Sequence, residues 1–427
     1  MVTNLAPFFD HDYLEGTPGF LRELTEPNRA SEASRAGAHK ENINLESIAL
    51  RHGPRYLNGR SAESSSNGRF PPSRSRNLES MDRSIRRSFG SDNNAPVAPD
   101  ILQAMVDANA GDAIGYGDDA WTARAIDRFR QHFGGDTDVY LTFNGTGANV
   151  AALSSLLRPW EAVLAPASAH LQTDECGALE RFAGSKVIPI ATADGKLRPA
   201  DLEPYLHAGH GVHFPQPRAI SVSQATEFGG VYEIEEVRQL CDFAHDRGLI
   251  VHVDGARIAN AAVALGTSLR GATVDAGVDV LSFGGTKNGL MLGEAICFFN
   301  PQQHAGAAPF AQKQAMQLAS KMRYVAAQFE SLLSEDRWSH YASHANAMAQ
   351  RLYHRVRAIS GIRITRPVRC NAVFATLDRD SIERIQREFF FYVFDESLPE
   401  VRWMTHWATT PQDVDDFADC IEGAVTS

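Results

Sequence analysis

Cysteine is scarce in this chain, and the scarcity excludes two kinds of chemistry. The five residues (Cys176, Cys241, Cys297, Cys370, Cys420) are odd in number, scattered and never spaced as C-x-x-C, which suits reduced thiols and neither a disulfide framework nor a zinc site. A metal-free protein of the cytoplasm is therefore expected. Long apolar runs are absent too: none reaches the ~18 residues of a membrane helix, and the first twenty residues carry acids and prolines where an export signal has a basic start and an apolar middle. Neither membrane insertion nor export is expected. Positive charge is also in deficit, with a formal net charge of -11, and a general nucleic-acid binder needs a basic footprint to displace counterions from phosphates. Small molecules are the expected partners.

At 427 residues the chain exceeds the ~250–300 residues at which a single core stops growing, so more than one domain is expected. From about residue 28 to 87 it is rich in Ser, Asn, Gly and Arg and shows neither strand nor helix period. Residues 1–87 are read as a largely disordered N-terminal extension whose arginines are a solvated tail or a contact to an anionic surface. Met81 precedes the ordered pattern and is a candidate natural start. From Ser91 onward, runs such as VYLTF (139–143), AVLAPA (162–167), KVIPIA (186–191), AISVSQ (219–224), LIVHVD (249–254), VDVLSF (278–283) and EAICFF (294–299) have strand length and strand composition. Amphipathic helical stretches separate them. This alternation predicts an α/β fold, with a large, mainly parallel-sheet domain over 88–335 and helices on both faces. A helical region at about 311–358 leads into a smaller C-terminal α/β domain over 336–427, with strands near 363–366 and 371–377. No internal repeat is visible.

Ligands of such sheets bind beyond the carboxyl ends of the strands, and three of these ends carry chemistry. NGTGAN (144–149) is a Gly-rich turn entering a helix; Gly145, Thr146 and Gly147 form a phosphate cradle or merely a tight strand-to-helix turn. A dinucleotide fingerprint would have glycine at Val150, and a P-loop would have Lys-Ser/Thr, so both are disfavoured. HVDGARIAN (252–260) closes a buried strand on Asp254, which either keeps a heterocyclic nitrogen protonated or caps the next helix. Arg257, three residues on, is a planar fork for a phenolate or carboxylate. SFGGTKNG (282–289) sets a single lysine, Lys287, among small residues at the mouth of a buried strand, where desolvation makes an amine nucleophilic. A phosphate cradle, an acid for a ring nitrogen and an amine for a carbonyl together describe pyridoxal 5'-phosphate.

Several longer strings make the chain resemble the threonine aldolase family, in its low-specificity L-threonine aldolase branch and close to phenylserine aldolase. They are FGSDNNAP (89–96), YGDDAWTARA (116–125), FNGTGANVAALSSL (143–156), AHLQTDECGALE (169–180), QATEFGGVY (224–232), VHVDGARIANA (251–261), FGGTKNGLMLGEAICFFN (283–300), QLASKMR (317–323) and THWATTPQDVDDF (405–417). The resemblance implies a fold-type-I pyridoxal-phosphate enzyme that forms a homo-oligomer, a dimer or a tetramer of dimers, with its active sites at the dimer interface. It implies that Lys287 binds the cofactor covalently, that Asp254 pairs with its ring nitrogen, that Gly145 and Thr146 hold its phosphate, and that His170 stacks on its ring. Arg257, Ser91 and Arg402 fall where the family binds cofactor oxygen or substrate carboxylate, and His213 falls at a second active-site histidine. Lys313 matches a lysine that reaches a neighbouring subunit's phosphate, and Tyr116 and Glu175 are lining residues.

The implied reaction is aldol cleavage of L-threonine, L-allo-threonine and other β-hydroxy-α-amino acids to glycine and an aldehyde, with His170 or a water it holds accepting the hydroxyl proton. Rival readings within the fold are a phenylserine aldolase, a β-eliminating lyase and an aminotransferase. Outside enzymes, the rival is a cofactor-sensing regulator whose N-terminal segment touches DNA. That segment lacks the helical periodicity of a DNA-binding module.

Overall fold

The computed structural model describes residues 87–206, 211–304 and 306–426. The disorder expected for the extension and the start expected at Met81 concern residues outside these. Seven strands form the larger sheet: β1 (Asp138–Thr142), β2 (Glu161–Pro166), β3 (Lys186–Ile190), β4 (Gln216–Ser223), β5 (Ile250–Gly255), β6 (Val280–Gly284) and β7 (Glu294–Phe298). Their order across the sheet is β1-β7-β6-β5-β4-β2-β3. All pairings among β3, β2, β4, β5 and β6 are parallel. Only β7 is reversed, running antiparallel to both its neighbours. Every run expected to be a strand is one. The apolar residues do not alternate because both faces are covered, so β6 and β7 are buried along their whole length.

Four strands form a second sheet in the order β10-β11-β9-β8: β8 (Arg363–Ile364), β9 (Ala372–Thr376), β10 (Tyr392–Asp395) and β11 (Glu400–Met404). Helices Arg337–Val356 and Pro411–Thr426 pack with it around Trp403, Phe391 and Phe417. The helical region expected at 311–358 is three helices, Ala308–Gln314, Arg323–Leu332 and Arg337–Val356. Left-handed backbone at Met316 (φ 61), Glu335 (φ 54) and Asp336 (φ 53) separates them, a conformation no helix interior accommodates.

The segment before the first long helix reaches both sheets. Phe89 stacks on Phe417 at 4.0 Å, its N–H donates to Phe390 O, and its carbonyl accepts from Met404 N. This anchoring in the core of the smaller sheet sets the 3-10 turn Asp92–Asn94 beside the larger sheet. Arg87, counted with the extension, pairs with Asp413 at 3.2 Å and with Asp416.

Candidate active site

Register brings the chemistry to one edge of the larger sheet. Thr142, Glu294 and Gly284 are aligned across β1, β7 and β6, and Ser223, Asp254 and Ser282 across β4, β5 and β6. The segments that leave β1, β2, β4, β5 and β6 therefore converge, carrying Gly145, His170, Glu227, Asp254 and Lys287. Gly284 is required for this convergence, because a Cβ there would lie 2.4 Å from the Ala256 carbonyl oxygen. Its absence lets the turn after Asp254 sit against the strand that leads to Lys287.

At the end of β1, Asn144 caps the helix Gly145–Ser154 by accepting from Gly147 N, at 2.8 Å. The N–H of Gly147 is thus satisfied, and its missing side chain makes room for Gln317, whose Cδ would lie 2.2 Å from an added Cβ. The second glycine of NGTGAN serves packing. The anion donors left at this helix start are Gly145 and Thr146, and the space beside Gly145 is open to 4 Å.

Further along the same helix, Asn149 ties two acids together. Its Nδ2 donates to Asp254 Oδ2 and to Glu175 Oε1, both at 2.9 Å. Asp254 Oδ1 accepts from Ala256 N at 3.0 Å, while the following helix has Arg257 at its cap position, so the reading of Asp254 as a helix cap does not hold. Burial opposes its ionisation, but the Asn149 hydrogen bond, the Lys287 charge and the Ala256 N–H together hold the carboxyl below its ordinary range. Beneath it His252 bridges Ser221 (2.8 Å) and Ser282 (3.0 Å), and burial drives this imidazole down to about 4, so it is neutral.

His170 starts the short helix after β2. Its Nδ1 meets Glu175 Oε1 at 2.8 Å, a bond that raises the imidazole's basicity against the opposing effect of burial. Nε2 has no protein partner among the described residues. Single ligand atoms of His170, Glu175 and Asp254 lie within 4.8 Å of one another. Three such groups could gather around a cation, but the Asn149 amide already occupies Glu175 Oε1 and Asp254 Oδ2.

Lys287 lies in the 3-10 turn Thr286–Asn288. No carboxylate among the described residues comes within salt-bridge range of its amine, and burial, then the positive charge of Arg257, lowers its pKa. A buried amine without a counter-ion is poised to be neutral and nucleophilic. Behind the turn, Glu294 Oε2 accepts from Gly285 N at 2.9 Å, and burial pushes this carboxyl up to about 7.

Arg257 is less available than its sequence position suggests. Its Nε and Nη2 are engaged by both oxygens of Asp92 at 2.7 and 2.8 Å, leaving Nη1. Asn371 Nδ2 also donates to Asp92, at 3.1 Å. The Asp92 side chain is fully buried, so Asp92→Ala would leave an unpaired guanidinium inside the protein. A destabilisation of about 3–5 kcal/mol is expected, read as a lower urea midpoint with unchanged slope. An unaltered midpoint would show the pair to be energetically idle.

Arg402, on β11, has no counter-ion among the described residues, and its Nε is buried without a partner. Burial, then the charge of Arg257, weakens its hold on its proton, and a cation left in this way calls for an anionic ligand. Ser91 caps the turn that carries Asp92, accepting from Asn93 N. Lys313 is exposed, with Nζ 5.1 Å from the ring centre of Tyr116, itself exposed. His213 is exposed in the 3-10 turn Gly211–His213, just before β4. The eight-residue β4 separates that turn from Ser223, a span of roughly 25 Å at ~3.3 Å per residue. The fold does not bring His213 to the other site residues within this chain.

Asp92, Asn149, Glu227 and Glu294 were missed by sequence reasoning. Glu227 had a usable signal, since it follows the carboxyl end of β4, the kind of position inspected for three other strands. Asp92 stood next to Ser91, and its significance lies in a partner 165 positions away. Taken together, the edge offers donors for an anion, a buried carboxylate for a cationic ring nitrogen, an amine for a carbonyl and a free guanidinium for a carboxylate.

The model of the β-eliminating lyase family matches residues 88–380. A low specificity L-threonine aldolase of Pseudomonas aeruginosa is 43% identical over 336 residues, 78% of this chain and 96% of that protein. Another, from a Pseudomonas species, is 41% identical over 343 residues, 80% of this chain and 99% of that protein. Among solved structures, a threonine aldolase of Leishmania major aligns with a TM-score of 0.75 at 31% identity, covering 79% of this chain and 99% of that one. The expected fold-type-I α/β architecture is thereby borne out.

Proposed function

This chain belongs to the threonine aldolase branch of the β-eliminating lyase family, and we propose that it cleaves L-threonine, L-allo-threonine and related β-hydroxy-α-amino acids to glycine and an aldehyde with pyridoxal 5'-phosphate. The observation that carries this reading is the buried Lys287 amine, outside salt-bridge range of every described carboxylate, at the end of β6 next to the end of β5 that carries buried Asp254. The residues fit the cofactor: Gly145 and Thr146 would take its phosphate, Asp254 its ring nitrogen, Lys287 its aldehyde, and Nη1 of Arg257 an oxygen. When bound, the cofactor withdraws electrons from the substrate's α-carbon.

The chain's own groups then decide which bond breaks. Arg402 holds the substrate carboxylate, fixing the plane of the α-carbon and so selecting the Cα–Cβ bond over its neighbours. Nε2 of His170, with Nδ1 held by Glu175, accepts the β-hydroxyl proton directly or through a water. Asp254, ionised well below neutral pH, keeps the nitrogen it faces protonated. A loose or water-mediated contact to the hydroxyl lets both configurations at Cβ be accepted.

His213 and Lys313 are both exposed, and in this reading they serve the site of a second copy of the chain, in a dimer or a tetramer of dimers. Among the described residues no helix is long and apolar enough to cross a membrane, and the five cysteines are free, as the proposed cytoplasmic location requires.

Mixing the cofactor-loaded protein with L-threonine is expected to yield acetaldehyde and glycine in equal amounts. Release of ammonia, or turnover that needs a keto-acid acceptor, would make the activity β-elimination or transamination instead. Replacing Arg402 by leucine is expected to raise KM for L-threonine about a hundred-fold. An unchanged KM would remove Arg402 from the carboxylate site.

A further inference from the structure

We propose that Glu227 is a positioning residue for His170: Oε1 fixes the turn that carries the imidazole, and the enclosed Oε2 donates a hydrogen bond to the molecule bound at His170 and Asp254. The inference rests on the functional reading above and adds a residue to it.

Glu227 follows the carboxyl end of β4, where Ser223 is in register with Asp254. Its Oε1 accepts from Ser223 Oγ at 2.5 Å and from the backbone N–H of His170 at 3.1 Å. His170 is thereby held twice, at its backbone by Glu227 and at its ring by Glu175. A displacement of either bond would move the imidazole, and angstrom-scale misplacement of a proton-transferring group is strongly felt in turnover.

The second oxygen makes Glu227 more than a brace. Oε2 is fully buried and has no partner among the described residues, whereas buried polar atoms are almost always satisfied. Two ionisable groups bear on this carboxyl, Asp254 on β5 and Tyr232 beyond its own turn, and His170 contributes its backbone N–H. Burial, together with the neighbouring Asp254 charge, raises its pKa, against the Ser223 and His170 bonds. An uncharged acid uses Oε1 as the acceptor for its two donors and carries its proton on Oε2. Among the described residues that proton has no acceptor, and the proposal assigns it to an atom of the bound cofactor or substrate. In this proposal Glu227, whose burial disfavours the charged form, is the donor, and Asp254, held ionised, is the acceptor.

The test compares wild type, Glu227→Gln, Glu227→Leu and Ser223→Ala, each measured for pyridoxal-phosphate affinity by absorbance titration, for kcat and KM with L-threonine, and for cofactor trapped on Lys287 by borohydride. Glutamine has an acceptor oxygen and a donor at the same two points, so E227Q is expected to keep kcat within about threefold of wild type, while E227L loses about thirtyfold. Weaker cofactor affinity in E227L would assign the Oε2 partner to the cofactor, and a raised KM would assign it to the substrate. S223A, a milder change that keeps the carboxyl, is expected to lower kcat about threefold in the same direction. The inference is overturned if E227L matches wild type in every readout, or if E227Q is as impaired as E227L, since the latter would mean that a negative charge is what matters. Should E227L fail to fold, E227Q and S223A decide alone: a large loss in E227Q, or none in S223A, overturns it. Wild-type protein that traps no cofactor on Lys287 would instead refute the functional reading beneath it.

Discussion

Replacing Lys287 by alanine is expected to abolish the visible absorbance of the cofactor-loaded protein and to lower kcat by about ten-thousand-fold. The size of the effect follows from the surroundings of this amine. Gly284 brings the end of β6 against the turn after Asp254, and no carboxylate among the described residues lies close enough to neutralise an ammonium. The site thus favours the neutral amine that a carbonyl needs. No other lysine among the described residues can substitute: Lys186, Lys313 and Lys321 are exposed, and Lys196 is engaged by Glu236 at 2.6 Å. A variant that stays yellow and active would show that the reacting amine is elsewhere.

Replacing Asp254 by asparagine is expected to leave the cofactor bound and to slow turnover about a hundred- to thousand-fold. The amide keeps one acceptor oxygen, for the Ala256 N–H that Oδ1 now accepts, and gives up the Asn149 bond on Oδ2, where its NH2 faces another donor. It also loses the negative charge, and each unit by which the facing nitrogen's pKa falls removes about 1.4 kcal/mol of preference for the protonated ring. Absorbance titration should therefore give near-normal cofactor affinity beside a depressed kcat. Normal kinetics would make the carboxylate a structural group.

The sheet that carries these residues was readable because its strands are short, apolar and bounded by glycines and polar turns. β1 to β7 follow from composition, and the mouths of β1, β5 and β6 yielded the cradle, Asp254 and Lys287. The smaller sheet was readable only in part. β10 lies in the unbroken aromatic run FFFYVF (389–394), which does not alternate although the strand itself is only partly buried, and no strand was read there. β11 places Glu400, buried and paired with Arg366 at 3.1 Å, and Arg402 on a strand, so buried polar residues blur the pattern that identifies the element.

The site divides in the same way. Residues whose chemistry depends on local context, such as a lysine among glycines or an acid closing a strand, announce themselves in sequence. Residues whose chemistry is a pairing do not. Arg257 reads as a free fork until Asp92 is found on it, and Asn149 reads as one more residue of a small-residue helix until it is seen to hold Asp254 and Glu175 together. His213 is the converse: the family resemblance implied membership of the site, and the length of β4 sets it at the far end of that strand.

The most direct measurement is reduction of the cofactor-loaded protein with borohydride, followed by proteolysis and identification of the labelled peptide. The account predicts a single pyridoxyl group, on the peptide spanning the turn after β6 and at Lys287. A label on a different lysine, or a protein that releases its cofactor unreduced, would contradict it.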